Sequence, residues 1–132
     1  MESNLEKLIK NMSPTLNVGS YVFCSVERSF VVPDSIVLAS FMEQEGKTLV
    51  LSRESAENHN LEYTAVMAWI TLAVHSSLQA VGFTAKVSTA LAYNDISCNV
   101  IAGYHHDHLF VEKDDAEKAM EVLKELSSKN GH

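Results

Sequence analysis

Cysteine is scarce in this chain. Cys24 and Cys98 are the only two, far apart and each inside an apolar stretch, with neither a CxxC pair nor a Cys/His ligand spacing around them. That pattern argues against a disulfide scaffold or a zinc knuckle and reads as two buried free thiols in a reducing compartment. Two prolines and five glycines leave no room for a collagen-like or low-complexity segment. Basic residues are outnumbered, with 10 Lys and Arg against 17 Asp and Glu, for a formal charge of -7. A net negative field repels phosphate backbones and anionic headgroups, so neither nucleic acid nor a membrane surface is an expected partner. Long hydrophobic runs are also missing. The longest, Ala65 to Val74, contains Thr71 and gives way to His75-Ser76-Ser77, well short of the ~20 residues a bilayer needs. The opening MESNLEKLIK has no apolar leader region. A soluble, cytoplasmic protein is expected.

What remains is a globular composition, 46% hydrophobic and 20% charged over 132 residues. Leu5, Leu8, Ile9 and Met12 fall on one face of a short helix over residues 3–12, with Ser3 and Glu6 at capping-box spacing and Ser13-Pro14 as its stop. Strands are expected over 20–26 and 36–42, then a Glu45-Gly46-Lys47 hairpin turn with Thr48 to Leu51 returning. A short polar helix over 52–58 takes Ser52 as its cap. The polar stretch 55–60 marks a boundary, dividing the chain into units 1–60 and 61–132. In the second unit, Met67 to His75 reads as a central strand. Thr84 to Asn94 reads as a helix capped by Thr84 and stopped by a left-handed Asn94. Strands over 98–104 and 108–112 follow, joined through His105-His106-Asp107. The last helix sets Ala116, Ala119, Met120, Leu123 and Leu126 on one stripe. Strand–helix–strand–strand–helix is most of a ferredoxin-like sandwich. The first unit reads as the same plan with its first helix missing. The expected class is therefore α+β: two ferredoxin-like units in tandem, the first degenerate, with antiparallel sheets and helices on one face.

Three stretches then carry a family signature: Trp69-Ile-Thr-Leu-Ala-Val-His-Ser-Ser-Leu-Gln-Ala-Val-Gly82, Leu91-Ala-Tyr-Asn-Asp-Ile96, and Cys98-Asn-Val-Ile-Ala-Gly-Tyr-His-His-Asp-His-Leu-Phe-Val111. Together they resemble the ACT-domain superfamily, in particular small bacterial tandem-ACT proteins. Met12-Ser-Pro14, Tyr21-Val-Phe-Cys24 and Glu45-Gly-Lys-Thr-Leu-Val50 resemble the N-terminal part of the same group. The resemblance implies a βαββαβ fold that senses a small molecule, typically an amino acid, where a loop after the first strand meets an edge strand of a paired domain. The matching positions are Ser77, Leu78, Val81, Gly82, Phe83 and Thr84 on the loop and helix start, and Asn99, Val100 and Ile101 on the strand. A helix N-terminus suits a carboxylate, and a glycine permits close approach. As a turn glycine Gly82 serves both purposes. Asn99 can meet an amine or a carboxylate. The first unit, lacking the helix, offers no second site of this kind.

His105, His106, Asp107 and His108 form the sharpest polar cluster. Alternate strand residues point to opposite faces, so only His106 and His108 can share one. Turn bonding by Asp107, with the histidines orienting the hairpin, is favoured over a metal site. His75 beside Ser76 and Ser77 lacks a nucleophile elbow, and no phosphate, dinucleotide or metalloprotease motif is present. No catalytic residues, metal or cofactor are expected. The leading expectation is a regulatory module that binds an amino acid and works as a homodimer or higher homo-oligomer. The alternative is a ligand-free interaction and dimerisation module.

Overall fold

The computed structural model of the chain describes residues 4–74 and 81–129. It is an α+β protein whose chain folds into two compact units, one of Gly19–Met67 and the other of Met1–Val18 with Ala68–His132.

Unit Gly19–Met67 is built on three antiparallel strands in the order β3 (Val37–Met42), β4 (Lys47–Ser52) and β2 (Tyr21–Val26). Val22 and Cys24 on β2 lie opposite Leu51 and Leu49 on β4. Those four side chains meet Ala56 of the short helix α2 (Arg53–Asn58) in a buried cluster. The cap expected for this helix is present, since Ser52 Oγ accepts from the Ser55 N–H at 3.0 Å. The hairpin at Glu45-Gly46 closes through the Glu43 N–H on the Gly46 carbonyl at 2.8 Å. A 3-10 turn, Asp34–Ile36, takes the first residue of the expected second strand, because Ile36 N–H bonds back to Pro33.

The other unit contains β1 (Thr15–Leu16), β5 (Met67–Leu72), β7 (Asp107–Glu112) and β6 (Cys98–Ala102), side by side in that order. Three helices, α1 (Asn4–Lys10), α3 (Phe83–Tyr93) and α4 (Ala116–Lys129), supply the other layer. Ile9, Phe83, Val87, Leu91, Ala119 and Leu123 from the helices close on Ala68, Ile70, Leu72, Leu109 and Val111 from the strands. The burial alternates along β5 from Ala68 to Leu72 as a half-covered sheet requires, whereas on β7 Leu109, Phe110 and Val111 are buried in succession. Strand β1 was not foreseen. Two residues are too few to show a period, and they are held by Asn17, whose N–H reaches the Trp69 carbonyl at 2.9 Å.

Three local expectations are corrected. Thr84 is not the cap of α3 but lies inside its first turn. Gly82 takes the cap position at φ +93°, a conformation in which only a residue without a side chain is unstrained. Asn94 is not left-handed, with φ -98°, and the turn falls one residue later at Asp95, φ 63°. Asp107 is not in the hairpin turn. The turn closes by Gly103 N–H to the His106 carbonyl at 2.9 Å, and Asp107 is the first residue of β7.

Candidate functional site

The expected site residues fall into separate groups. Ser77 and Leu78, like His75 and Ser76, lie outside the described residues. Val81 is 83% exposed, while Phe83 is buried in the core and Thr84 faces solvent. The start of α3 has no side-chain cap. Its leading N–H groups therefore follow Gly82 as a set of donors at the positive end of the helix dipole.

On β6 the strand period separates the other three. Asn99 pairs with Phe110 and Ile101 with His108, whereas Val100 pairs with Leu109 and packs against the helix-side core. Asn99 and Ile101 thus share the face opposite the helices, and Val100 does not.

That face carries a polar and aromatic array built from Asn17, β5 and β7. Asn17 Nδ2 donates to Thr71 Oγ1 at 2.9 Å and to the Trp69 carbonyl at 3.2 Å. Trp69 Nε1 donates to His108 Nδ1 at 3.0 Å, and Thr71 Oγ1 lies 3.3 Å from the same nitrogen. An indole N–H can only donate, so Nδ1 is the acceptor and the neutral ring carries its proton on Nε2. Burial and the neighbouring His106 push the His108 pKa below its ordinary value, against a smaller opposing pull from Asp107. Trp69 stacks on Phe110 with ring centroids 6.4 Å apart and an angle of 13° between planes. The array offers an Nε2–H donor and the exposed Asn99 amide beside the half-buried Trp69 ring, with Phe110 buried beneath it. The signal for it was the alternation in Met67-Ala-Trp-Ile-Thr-Leu72, where Trp69 and Thr71 occupy the half-buried positions.

Gly103 adjoins the array. A Cβ there would stand 2.8 Å from the His106 carbonyl oxygen and 3.2 Å from His108 Nε2. Asp107 faces the helix side, opposite Ala102. At 6% exposure it is the buried charged residue among those described, and burial raises its pKa. Successive strand positions thus send Asp107 and His108 to opposite faces. Among the described residues no three His, Cys, Asp or Glu side chains come together as a metal site. Likewise, no helix there is long and apolar enough to cross a membrane.

With this geometry in hand, comparison with known proteins gives consistent matches. Residues 1–68 match one family model described as ACT domain, and residues 65–125 match a second of the same description. A solved structure of a Vibrio cholerae protein of unknown function, described as a possible transport protein, is 48% identical. The match covers 93% of this chain and 95% of that one, with a TM-score of 0.82. The ligand-free regulatory subunit of aspartate kinase from Thermus thermophilus is 10% identical over 88% of this chain and 97% of its own, TM-score 0.64. Aspartate kinase from Clostridium acetobutylicum is 13% identical over 88% of this chain and 34% of its own, TM-score 0.60. At those identities the likeness to the kinases is one of fold. No curated protein matches the sequence.

Proposed function

The chain belongs to the ACT-domain family, with two such domains in tandem, and on that premise we propose that this regulatory, ligand-binding kind of module takes an amino acid as its ligand. Binding is read out through the geometry of a homodimer or of a partner protein. The observation that carries the reading is the start of α3, where Gly82 at φ +93° opens a helix with no capping side chain. The leading N–H groups suit a carboxylate, and the glycine lets the ligand approach the backbone. Within one chain Asn99 lies on the sheet face away from the helices, so it is Asn99 on β6 of a paired copy that supplies the polar side chain for the other end of the amino acid. The mechanism is differential affinity: the ligand favours whichever arrangement of domains completes its contacts. No part of the proposal is catalytic.

The test is a thermal-shift screen of tag-free protein against the twenty amino acids, nucleotides and divalent metals. A ligand at a hundred times its Kd stabilises the native state by about 2.7 kcal/mol. One amino acid raising the midpoint in proportion to the logarithm of its concentration supports the reading. Gly82→Val should then remove the shift, at a cost in stability because of its strained φ. Gly82→Asn, a residue that tolerates positive φ, should lower the midpoint less. Silence across all twenty amino acids overturns the sensor and leaves the interaction module.

A further inference from the structure

Unit Gly19–Met67 carries a depression of about 630 Å³, lined by Phe23 and Ser25 of β2 and by Leu61, Glu62, Tyr63 and Thr64. Small-molecule sites have volumes of this order. One wall follows from the way α2 ends. Asn60 takes a φ of 56°, and the Leu61 N–H reaches back to the Ala56 carbonyl at 2.9 Å. Asparagine suits such a left-handed stop. Beyond it the side chains alternate. Leu61 and Tyr63 pack against the buried cluster of the unit, while Glu62 and Thr64 are exposed.

The hydroxyl of Tyr63 donates to Glu57 Oε2 at 2.7 Å and accepts from Arg53 Nε at 3.1 Å. Its ring is thereby held in place before any ligand arrives, which lowers the entropy lost on binding. Half-buried Phe23 supplies a second ring to the lining. Ser25 and Thr64 add hydroxyl groups, and Glu62 alone of the lining residues is charged. Between residues 19 and 67, seven carboxylates stand against three basic side chains. Those three are engaged by other groups: Arg28 by the Glu43 carbonyl, Lys47 by the Phe30 carbonyl, and Arg53 by Glu57 and Tyr63. The field over the depression is therefore negative.

We infer that this depression binds an alkylammonium ion, the protonated form of an aliphatic amine. Aromatic faces attract a cation, and a carboxylate at the rim adds a direct charge pair. The N–H groups of the ligand find acceptors in Glu62 and the two hydroxyls. Its chain finds apolar surface in Phe23, Leu61 and the Tyr63 ring. The start of α3 belongs to the other unit, and the inference does not rest on the amino-acid reading. A free amino acid is a poor occupant here, because its carboxylate would meet Glu62 with no lining cation to receive it.

The probe is butylammonium chloride, titrated into the full-length, tag-free protein at about 150 mM salt, where the diffuse attraction of surface acids is largely screened. Amide NMR shifts should saturate with a Kd of about 10 mM or tighter, centred on residues 23–25 and 61–64. Glu62→Gln, at an exposed position, should weaken binding about threefold to fivefold and leave the thermal midpoint unchanged. Butanol, which has the same chain and no charge, should give no saturating shift. Shifts that fail to saturate, or that spread over other acidic surface, overturn the site. So does butanol binding as tightly, or a Glu62→Gln protein that binds butylammonium unchanged. Should that variant fail to fold, the two probes compared on the unaltered protein decide the matter. Either result leaves the amino-acid reading standing.

Discussion

The indole N–H of Trp69 on β5 donates to Nδ1 of His108 on the adjacent β7 at 3.0 Å, and the bond ties the charge of one ring to the packing of two strands. An imidazolium carries a proton on each nitrogen. Protonating His108 would turn the acceptor into a second donor facing the indole. This geometry agrees with the lowered pKa that burial and His106 impose.

A folded-state pKa below the unfolded one gives stability that is complete above the unfolded value, near 6.5, and is lost as pH falls through the folded value. Denaturant midpoints should therefore decline on acidification below about pH 6.5. His108→Asn, whose side-chain carbonyl can accept from the indole in place of Nδ1, should flatten that part of the profile. An equally steep decline in the variant would exclude His108 as its source.

Gly103→Ala should destabilise the fold by about 1–3 kcal/mol, the usual cost of forcing a methyl into filled space. The methyl would stand 2.8 Å from the His106 carbonyl oxygen, which the Gly103 N–H already engages to close the turn. A thermal melt reads the loss directly, and an unchanged midpoint would mean that the turn yields freely.

Ser52→Ala removes the oxygen that accepts the Ser55 N–H at the start of α2. Loss of such a cap costs about 1 kcal/mol. Ser52→Asp, which restores an acceptor beside the positive end of the helix, should recover most of it in the same denaturation experiment.

The two thiols should react slowly in the native protein. Burial raises the pKa of Cys24, and raises that of Cys98 against a smaller lowering by Ser88. The thiolate is the reacting form. Cys98, only partly buried, should be modified before the buried Cys24, and both should react quickly once the chain is unfolded. Rapid native labelling of Cys24 would show that its unit opens readily.

Some of this was legible in the sequence because it is local. Ser52 and the polar run after it announce α2, and the stripe from Ala116 to Leu126 announces α4. The ferredoxin-like order follows from the succession of periods. Other features are set by contacts between distant residues. Nothing near Trp69 identifies His108 as its partner, and nothing within residues 4–12 says which unit will receive Ile9 and Met12. The start of α3 was misread because Thr84 is a good capping residue in isolation. The backbone there needs a positive φ two residues earlier, which Gly82 can adopt. The family resemblance names Val100 together with Asn99 and Ile101, whereas the pleat sends it to the other face.

Unit Gly19–Met67 is enclosed within the chain of the other unit, and this has a consequence for biosynthesis. As the polypeptide leaves the ribosome, the enclosed unit can close once its own residues have emerged. The first helix cannot. Ile9 and Met12 belong to a cluster whose other members include Leu123, and the Lys10 carbonyl accepts from the hydroxyl of Ser127 at 2.8 Å. The residues of α1 must wait for those of α4, 117 positions further along at the Lys10–Ser127 contact, so a ribosome that stops within α4 leaves α1 without part of the surface it packs against.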